Sequence, residues 1–373
     1  MLETVAKKLL AFAGVSVNGV QPHSMRVNDN HVLADIMRRG SLGLAEAYMD
    51  QRWDCAELDE FFFRVLEHRL DLVGLLNPFA LRHYLRDLFR PAITKEQAFE
   101  IGTAHYDLGN DFFERMLDPT MTYTCAYWKK PALSLEEAQR EKLDLVCRKL
   151  HLLGGERVLD IGCGWGSFAK FAAEKYNVSV VGVTVSKEQA IMAQDRCAGL
   201  PVTICLQDYR ETTGRFDAIV SLGMFEHVEP KNYGDYFACV NRCMDPYGRF
   251  LLHTIGKENG GEHSDPFIRK YVFPQGMIPG ARSLRRSINK SFHILDWHAF
   301  GSRHYDRTLI AWRANFRKAW PELQERYGDK LDGRFARMWD YYLSSCAGAF
   351  RAGRLDLYQI VLAKHPLHYL PVR

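Results

Sequence analysis

The chain has no apolar run near the roughly 18 residues that a membrane-spanning helix needs, so no segment is expected to cross a bilayer. It has no internal repeat and no low-complexity tract, which removes repeat-array and tail-like readings. Charge of one sign is scarce. The 49 Lys and Arg against 45 Asp and Glu leave a net +4, enough to favour an anionic surface but not pointing to nucleic acid. The nine cysteines are an odd number without zinc spacing, and Cys239 and Cys243 stand four apart with no second pair. No metal is expected, and a reducing cytosol fits such thiols. The first twenty residues carry Glu3, Lys7 and Lys8 and lack a signal-peptide layout. What remains is ordinary globular composition, 47% hydrophobic and 25% charged, in 373 residues that allow one to three domains.

The stretch that organises the rest runs from Val158 to Phe168. Residues 158–161 read as a buried parallel strand. Gly162, Gly164 and Gly166 then turn the chain into a helix beginning near Ser167. Without Cβ atoms, this backbone lets a flat ligand approach closely, and the helix start adds unpaired N–H groups. The dinucleotide fingerprint would need a third glycine at 167, where Ser167 stands, and an acid about 20 residues on. The second strand ends in Gly182-Val183-Thr184-Val185 without one, which argues against NAD. The pattern D-x-G-x-G-x-G resembles motif I of the class I S-adenosylmethionine-dependent methyltransferases.

Around this turn, residues 136–256 alternate between helix and strand. Strands are expected at 157–161, 178–183, 202–206, 216–222 and 249–255, with helices at 136–150, 167–176, 187–197 and 231–244. Such repetition implies a parallel α/β sheet with helices on both faces. Ligands sit beyond the carboxyl ends of its strands, where Gly162, Gly164, Thr184, Asp208, Glu226 and His253 fall. Residues 1–95 read as a small N-terminal helical domain, with a helix start at Gly40-Ser41. A second domain is expected over 96–373, with an insert at about 257–330 that would build substrate specificity. Residues 100–130 crowd aromatic, acidic and small groups, as a site wall or a packed connector would. After residue 256, Val272, Phe273, Met277 and Ile278 read as an apolar loop followed by Arg282, Arg285 and Arg286. A further strand is expected at 293–296, helices at 307–319 and 335–351, and a last strand at 357–363. Arg82, Arg86 and Arg90 form either a solvated face or one that meets lipid phosphates.

Several motifs together resemble the cyclopropane-fatty-acyl-phospholipid synthases over nearly the whole length. They are Gly40-Ser41-Leu42-Gly43 with Tyr48-Met49-Asp50, His105 to Asn110, Tyr123 to Trp128, Leu159 to Gly166, and Met224-Phe225-Glu226-His227-Val228. Leu251 to Gly256 and Tyr341 to Arg351 extend the match. The related mycolic acid cyclopropane synthases share the catalytic domain but lack the N-terminal helical region. The resemblance implies a class I methyltransferase fold. It also implies transfer of a methylene group from S-adenosylmethionine to the cis double bond of an unsaturated phospholipid acyl chain, with bicarbonate as proton acceptor. A peripheral protein on the cytoplasmic face of the inner membrane, as a homodimer, is the expected setting.

By the same resemblance, Tyr123 and Thr124 close over the methionine end of the cofactor, and Gly162 and Gly164 admit its backbone contact. Thr184 and Gln189 flank the ribose, and Asp208 and Tyr209 the adenine edge. Cys125, Glu226, His253, Tyr305 and the backbone of Ile255 form the bicarbonate pocket. Glu226 accepts from the anion's O–H and His253 donates, while Tyr305 also turns its ring to the developing cation. Cys346 joins the active site, in either a chemical or a packing role. Two plainer readings stand beside these: Glu226-His227 as a helix-start cap, and His253 as a satisfied core histidine. A methyl-branched or methylene product and a non-catalytic lipid-binding relative are the alternative functions.

Overall fold

The computed structural model describes residues 2–71, 94, 109–258 and 264–373. The expected Arg82, Arg86 and Arg90 face and the motif residues His105 to Leu108 lie outside them. In chain order the elements begin with α1 (Leu2–Phe12), β1 (Arg26–Val27), α2 (Val32–Met49), β2 (Trp53–Asp54), α3 (Leu58–Glu67) and α4 (Asn110–Met116). Then come α5 (Leu135–Lys149), β3 (Arg157–Ile161), α6 (Ser167–Tyr176), β4 (Ser179–Thr184), α7 (Lys187–Arg196), β5 (Val202–Leu206) and β6 (Phe216–Leu222). The remainder is α8 (Tyr233–Cys243), β7 (Met244–Gly256), α9 (Pro266–Tyr271), α10 (Ala281–Ile288), β8 (His293–Ala299), α11 (Ser302–Tyr327), α12 (Gly333–Arg351) and β9 (Asp356–Ala363).

The chain divides into two compact units, one of Met1–Pro91, His263–Pro274 and Tyr305–Leu355, the other of Ala92–Glu262, Gln275–His304 and Asp356–Arg373. Neither is a continuous stretch, and the segment 257–330 contributes to both.

The larger unit holds a seven-stranded sheet in the order β5-β4-β3-β6-β7-β9-β8. The pairs from β5 through β7 are parallel. Only β9 runs against its neighbours, between β7 and β8. The two faces separate by strand alternation. Val158, Val220, Leu251 and Val361 pack under α5 and α6, while Leu159, Ile219, Leu252 and Ile360 pack with α8 and α10. The expected parallel α/β architecture is therefore present. A capping box between Ser134 and Glu137 starts α5.

Where the structure departs from the expectations, the reason is local. The helix expected from Gly40 is the second half of α2, which bends there (φ 60, ψ −142). β7 begins five residues before its expected start, because Asp245 to Gly248 reads as a turn yet joins the strand with a register shift opposite Phe216 and Ala218. Pro321 lies inside α11 rather than closing it. The arginines at 282, 285 and 286 sit on α10, whose Ala281, Leu284 and Ile288 are already buried in the core. In the expected apolar loop Val272 is buried, 3% exposed, while Phe273, Met277 and Ile278 are half-buried.

In the smaller unit, α12 lies directly on α3. A Cβ at Gly348 would stand 2.5 Å from the Phe62 Cβ and 2.7 Å from the Phe63 nitrogen, so only glycine permits that approach. Asp340 on α12 pairs with Arg313 at 2.8 Å and Arg317 at 2.7 Å, and Arg313 also reaches Asp59 on α3 at 2.8 Å. Burial alone would raise the Asp340 carboxyl, but the two arginines outweigh it and hold it below its ordinary range. Its stabilising contribution is thus full at neutral pH and is lost as pH falls through the folded-state value. Asp340→Ala strips the buried Arg313 of this partner and is expected to cost about 3 kcal/mol, read as a lower urea midpoint at neutral pH. An unchanged midpoint would show that the network adds nothing.

Candidate active site

Beyond the carboxyl ends of β3, β4 and β6 the larger unit encloses a cavity of about 210 Å³. All eight residues expected at the cofactor line it: Tyr123, Thr124, Gly162, Gly164, Thr184, Gln189, Asp208 and Tyr209. The turn after β3 explains its shape. Gly162 has φ 78, and a Cβ there would lie 2.6 Å from the Met224 side chain, so only glycine lets the loop after β6 pack so closely on the turn, while at Gly164 nothing lies within 4 Å of where a Cβ would stand.

Around this opening the polar groups are pinned. The Thr184 hydroxyl donates to Gln189 Oε1 at 3.0 Å and accepts from the Ser186 N–H at 3.2 Å, while Ser186 caps α7. Asp208, 1% exposed, is gripped by Arg210 through its backbone N–H, Nε and Nη2, each at 2.8 Å. The irregular segment before α5 is held from two sides. Ser167 Oγ donates to the Met121 carbonyl at 2.8 Å. Gln139 on α5 donates to the carbonyls of Thr122 at 3.2 Å and Thr124 at 2.8 Å. Lys142 Nζ donates to the Thr124 hydroxyl at 2.6 Å. Cys125, fully buried, points its Sγ toward the Ala126 carbonyl at 3.3 Å.

Two ionisable groups in the cavity wall are moved toward neutrality. Desolvation pushes Lys142 down to about 8, against the pull of Cys125, Asp118 and Asp160. It pushes Asp160 up to about 7, against the pull of Lys142. One Asp160 carboxylate oxygen is buried without a partner among the described residues.

A second cluster hangs on the end of β7. Glu226 lies in the turn Phe225–His227 that follows β6. Its Oε1 accepts from the Ile255 N–H at 2.7 Å. The residue keeps some exposure, but its carboxylate is enclosed, Oε2 has no partner among the described residues, and desolvation pushes it up to about 7. The bond ties the carboxylate to the end of β7, and Glu226 is no helix cap. His253, 1% exposed, contacts Gln359 Nε2 through Nδ1 at 3.1 Å. Its Nε2 is buried with no partner among the described residues, so it is not a fully satisfied core histidine. Burial, then Lys142 and Lys149, hold it well below its ordinary pKa.

Tyr305 and Cys346 belong to the smaller unit. The Tyr305 ring packs on Phe350 with centroids 4.5 Å apart. Cys346 is partly exposed as a residue, yet its surroundings push the thiol up to about 12. At neutral pH it is a thiol, not a thiolate, which favours packing over nucleophilic or base chemistry.

Reading the sequence missed Lys142, Gln139, Asp160 and Gln359 as site residues. Lys142 and Gln139 carried a signal: polar residues on the buried stripe of an amphipathic helix, where leucine would be ordinary. Asp160 was visible inside the glycine motif. Gln359 carried none, because its partner lies 106 residues away.

Comparison with known proteins agrees with this geometry. A family model described as mycolic acid cyclopropane synthetase matches residues 93–360. The chain is 50% identical over 367 residues to the cyclopropane-fatty-acyl-phospholipid synthase of Escherichia coli strain K12, covering 96% of this chain and 93% of that protein. Among solved structures, the cyclopropane synthase MmaA2 from Mycobacterium tuberculosis superposes with a TM-score of 0.66 at 34% identity, over 71% of this chain and 98% of that one. The mycolic acid cyclopropane synthase CmaA1, solved with SAH and CTAB, gives 0.65 at 33% identity, over 71% and 97%. On its sequence, its sheet order and its glycine-turn cavity, this chain belongs to the mycolic acid cyclopropane synthetase family and is an enzyme of the class I methyltransferase fold.

Proposed function

We propose that this enzyme transfers a methylene group from S-adenosylmethionine to the cis double bond of an unsaturated phospholipid acyl chain, closing a cyclopropane ring, with bicarbonate as proton acceptor. The relative sharing half its residues bears the name of that reaction, and CmaA1 was solved with SAH and the long-chain amphiphile CTAB. The observation that carries the reading is two buried polar atoms, Glu226 Oε2 in the turn after β6 and His253 Nε2 on β7, each without a partner among the described residues.

The residues present fit the cofactor. Gly164 leaves open space at the turn, with nothing within 4 Å of where a Cβ would stand, and Asp160 offers an unpaired carboxylate oxygen in the cavity wall. When bound, S-adenosylmethionine supplies an electrophilic methyl carbon on a sulfonium. In our reading Tyr123 and Thr124 hold the methionine end, Thr184 and Gln189 the ribose, and Asp208 and Tyr209 the adenine edge. Bicarbonate supplies a base small enough to sit beside the reacting carbons and no part of the chain that could itself be methylated. Glu226 accepts from its O–H and His253 donates to its oxygen. Cys125 completes the pocket within the larger unit, and Ile255 contributes by holding Glu226. Exclusion of water is essential, because water would trap a carbocation before ring closure.

The substrate's double bond lies mid-chain, so an acyl chain must leave the bilayer to react. Among the described residues no helix is long and apolar enough to cross a membrane. We read the enzyme as a peripheral homodimer on the inner face, docking through α10, whose Arg282, Arg285 and Arg286 are exposed. Arg285 also covers the Trp297 ring at 3.9 Å, so Arg282 and Arg286 are the cleaner docking charges.

The decisive assay incubates the protein with unsaturated phospholipid vesicles, bicarbonate and labelled S-adenosylmethionine, then identifies the product by mass spectrometry; a methyl-branched or methylene lipid would replace the ring-forming reading. In that assay Glu226→Gln is expected to lower ring formation about 100-fold or more, with cofactor binding retained by calorimetry. Because Glu226 must be ionised to accept and its carboxyl lies at about 7, wild-type activity at fixed bicarbonate should rise through that pH, and the variant should lose this limb. Full activity in Glu226→Gln would remove the anion pocket from the mechanism. Gly164→Asn, a side chain that tolerates the left-handed backbone and meets nothing within 4 Å at its Cβ, should weaken cofactor binding by calorimetry while leaving the fold intact by circular dichroism; undiminished binding would show that the ligand lies elsewhere. Reversing Arg282 and Arg286 to Glu should weaken sedimentation with anionic vesicles at low salt, each charge near the surface being worth about 1 kcal/mol. Binding unchanged by both reversals would reject α10 as the docking face.

A further inference from the structure

Three polar side chains stand in one row across the sheet. β9 runs antiparallel between β7 and β8, so Gln359 directly opposes His253 on one side and His298 on the other. Directly opposed residues of antiparallel strands share a face. His298 is engaged on its far side, its Nδ1 lying 2.8 Å from Lys149 Nζ. On the near side the Gln359 amide nitrogen lies 3.1 Å from His253 Nδ1. Gln359 is fully buried.

An amide nitrogen only donates, so the Nδ1 it meets is an acceptor and carries no proton. His253 is uncharged, since burial and the two flanking lysines all oppose a second proton. A neutral imidazole has one proton, which must then sit on Nε2. That atom is buried and has no acceptor among the described residues. A buried N–H with nothing to donate to points to a ligand that accepts.

We propose that Gln359 is a positioning residue for the reaction: by donating to Nδ1 it fixes His253 as the Nε2–H tautomer and makes it a hydrogen-bond donor to a small oxyanion. This rests on the anion-pocket reading above, and adds the residue that sets the donor. The pocket then offers complementary partners to a bicarbonate-like ligand, a donor for an anionic oxygen at His253 and an acceptor for the O–H at Glu226 Oε2. With the opposite tautomer both atoms would be acceptors, and the anion would be repelled.

Nitrogen-15 NMR of the histidine-labelled, full-length wild type reads the tautomer without any need for catalysis. The His253 resonances are expected to show a protonated Nε2 and a bare Nδ1; a proton on Nδ1 overturns the proposal. Gln359→Glu puts an acceptor beside Nδ1. At alkaline pH it should move the proton to Nδ1 and raise the bicarbonate concentration for half-maximal rate about 10- to 100-fold, the usual effect of losing a group that orients a ligand-binding histidine. As pH falls and His253 takes a second proton, Nε2 regains its proton, and the variant should recover toward wild type at equal bicarbonate. Cofactor affinity by calorimetry should not change. A variant whose tautomer has switched but whose bicarbonate dependence has not would also overturn the proposal. A wild-type rate indifferent to bicarbonate would sink the anion-pocket reading alone, because the NMR result tests the tautomer separately.

Discussion

Removal of water governs this site more than any single contact. Four ionisable groups of the larger unit, Lys142, Asp160, Glu226 and His253, are all moved toward their uncharged forms, and in each the largest cause is burial. In water these side chains would be fixed in charge at neutral pH, apart from the histidine. Inside the sheet's carboxyl edge they become groups whose proton can be set by one neighbour. Their hydrogen bonds to Thr124, Ile255 and Gln359 therefore matter beyond geometry. Each bond selects a protonation state or an orientation where solvent would otherwise have averaged them.

The fold supplies that dryness in a particular way. A fully parallel sheet would end at β7 with one side open. Here β9 enters antiparallel between β7 and β8, covering β7 and bringing Gln359 against His253 in register. The same strand therefore seals the sheet and delivers a site residue. On the other side, α5 buries Gln139, Lys142 and Lys149, polar side chains that an ordinary core helix would not carry, and the first two hold the segment 122–124. The irregular stretch after α4 needs no secondary structure of its own because its carbonyls and hydroxyl are satisfied from α5 and α6.

What the sequence made legible follows from these distances along the chain. The strands 157–161, 202–206 and 216–222 and the helix 167–176 were readable residue for residue, because each is a short apolar run bounded by turn chemistry. The glycine turn was readable because φ near 78 at Gly162 leaves few alternatives to glycine. Long-range pairing was not. Nothing near Gln359 marks it as the partner of a histidine in another strand, and nothing near Arg285 announces that its guanidinium covers Trp297. The arginines of α10 looked like part of a loop because three basic residues in eight obscured a core-facing stripe of Ala281, Leu284 and Ile288. The helix expected at 307–319 runs longer, because α11 continues past Pro321 although a proline normally ends a helix.

One electrostatic difficulty remains, and the structure contains its answer. A cavity for a sulfonium should not hold an unbalanced lysine, for a like charge in a dry site is strongly repelled. Lys142 lies in that wall, at about 8, and Asp160 lies there too, at about 7. Burial lowers the lysine and raises the aspartic acid, so each is pushed toward its uncharged form, and the charge each keeps opposes the other's shift. The two groups are not paired at ion-pair distance, so no contact locks either state. Water entering this wall would restore both charges. In the reading proposed above, the dryness that protects a lipid carbocation also weakens the lysine's repulsion of the cofactor.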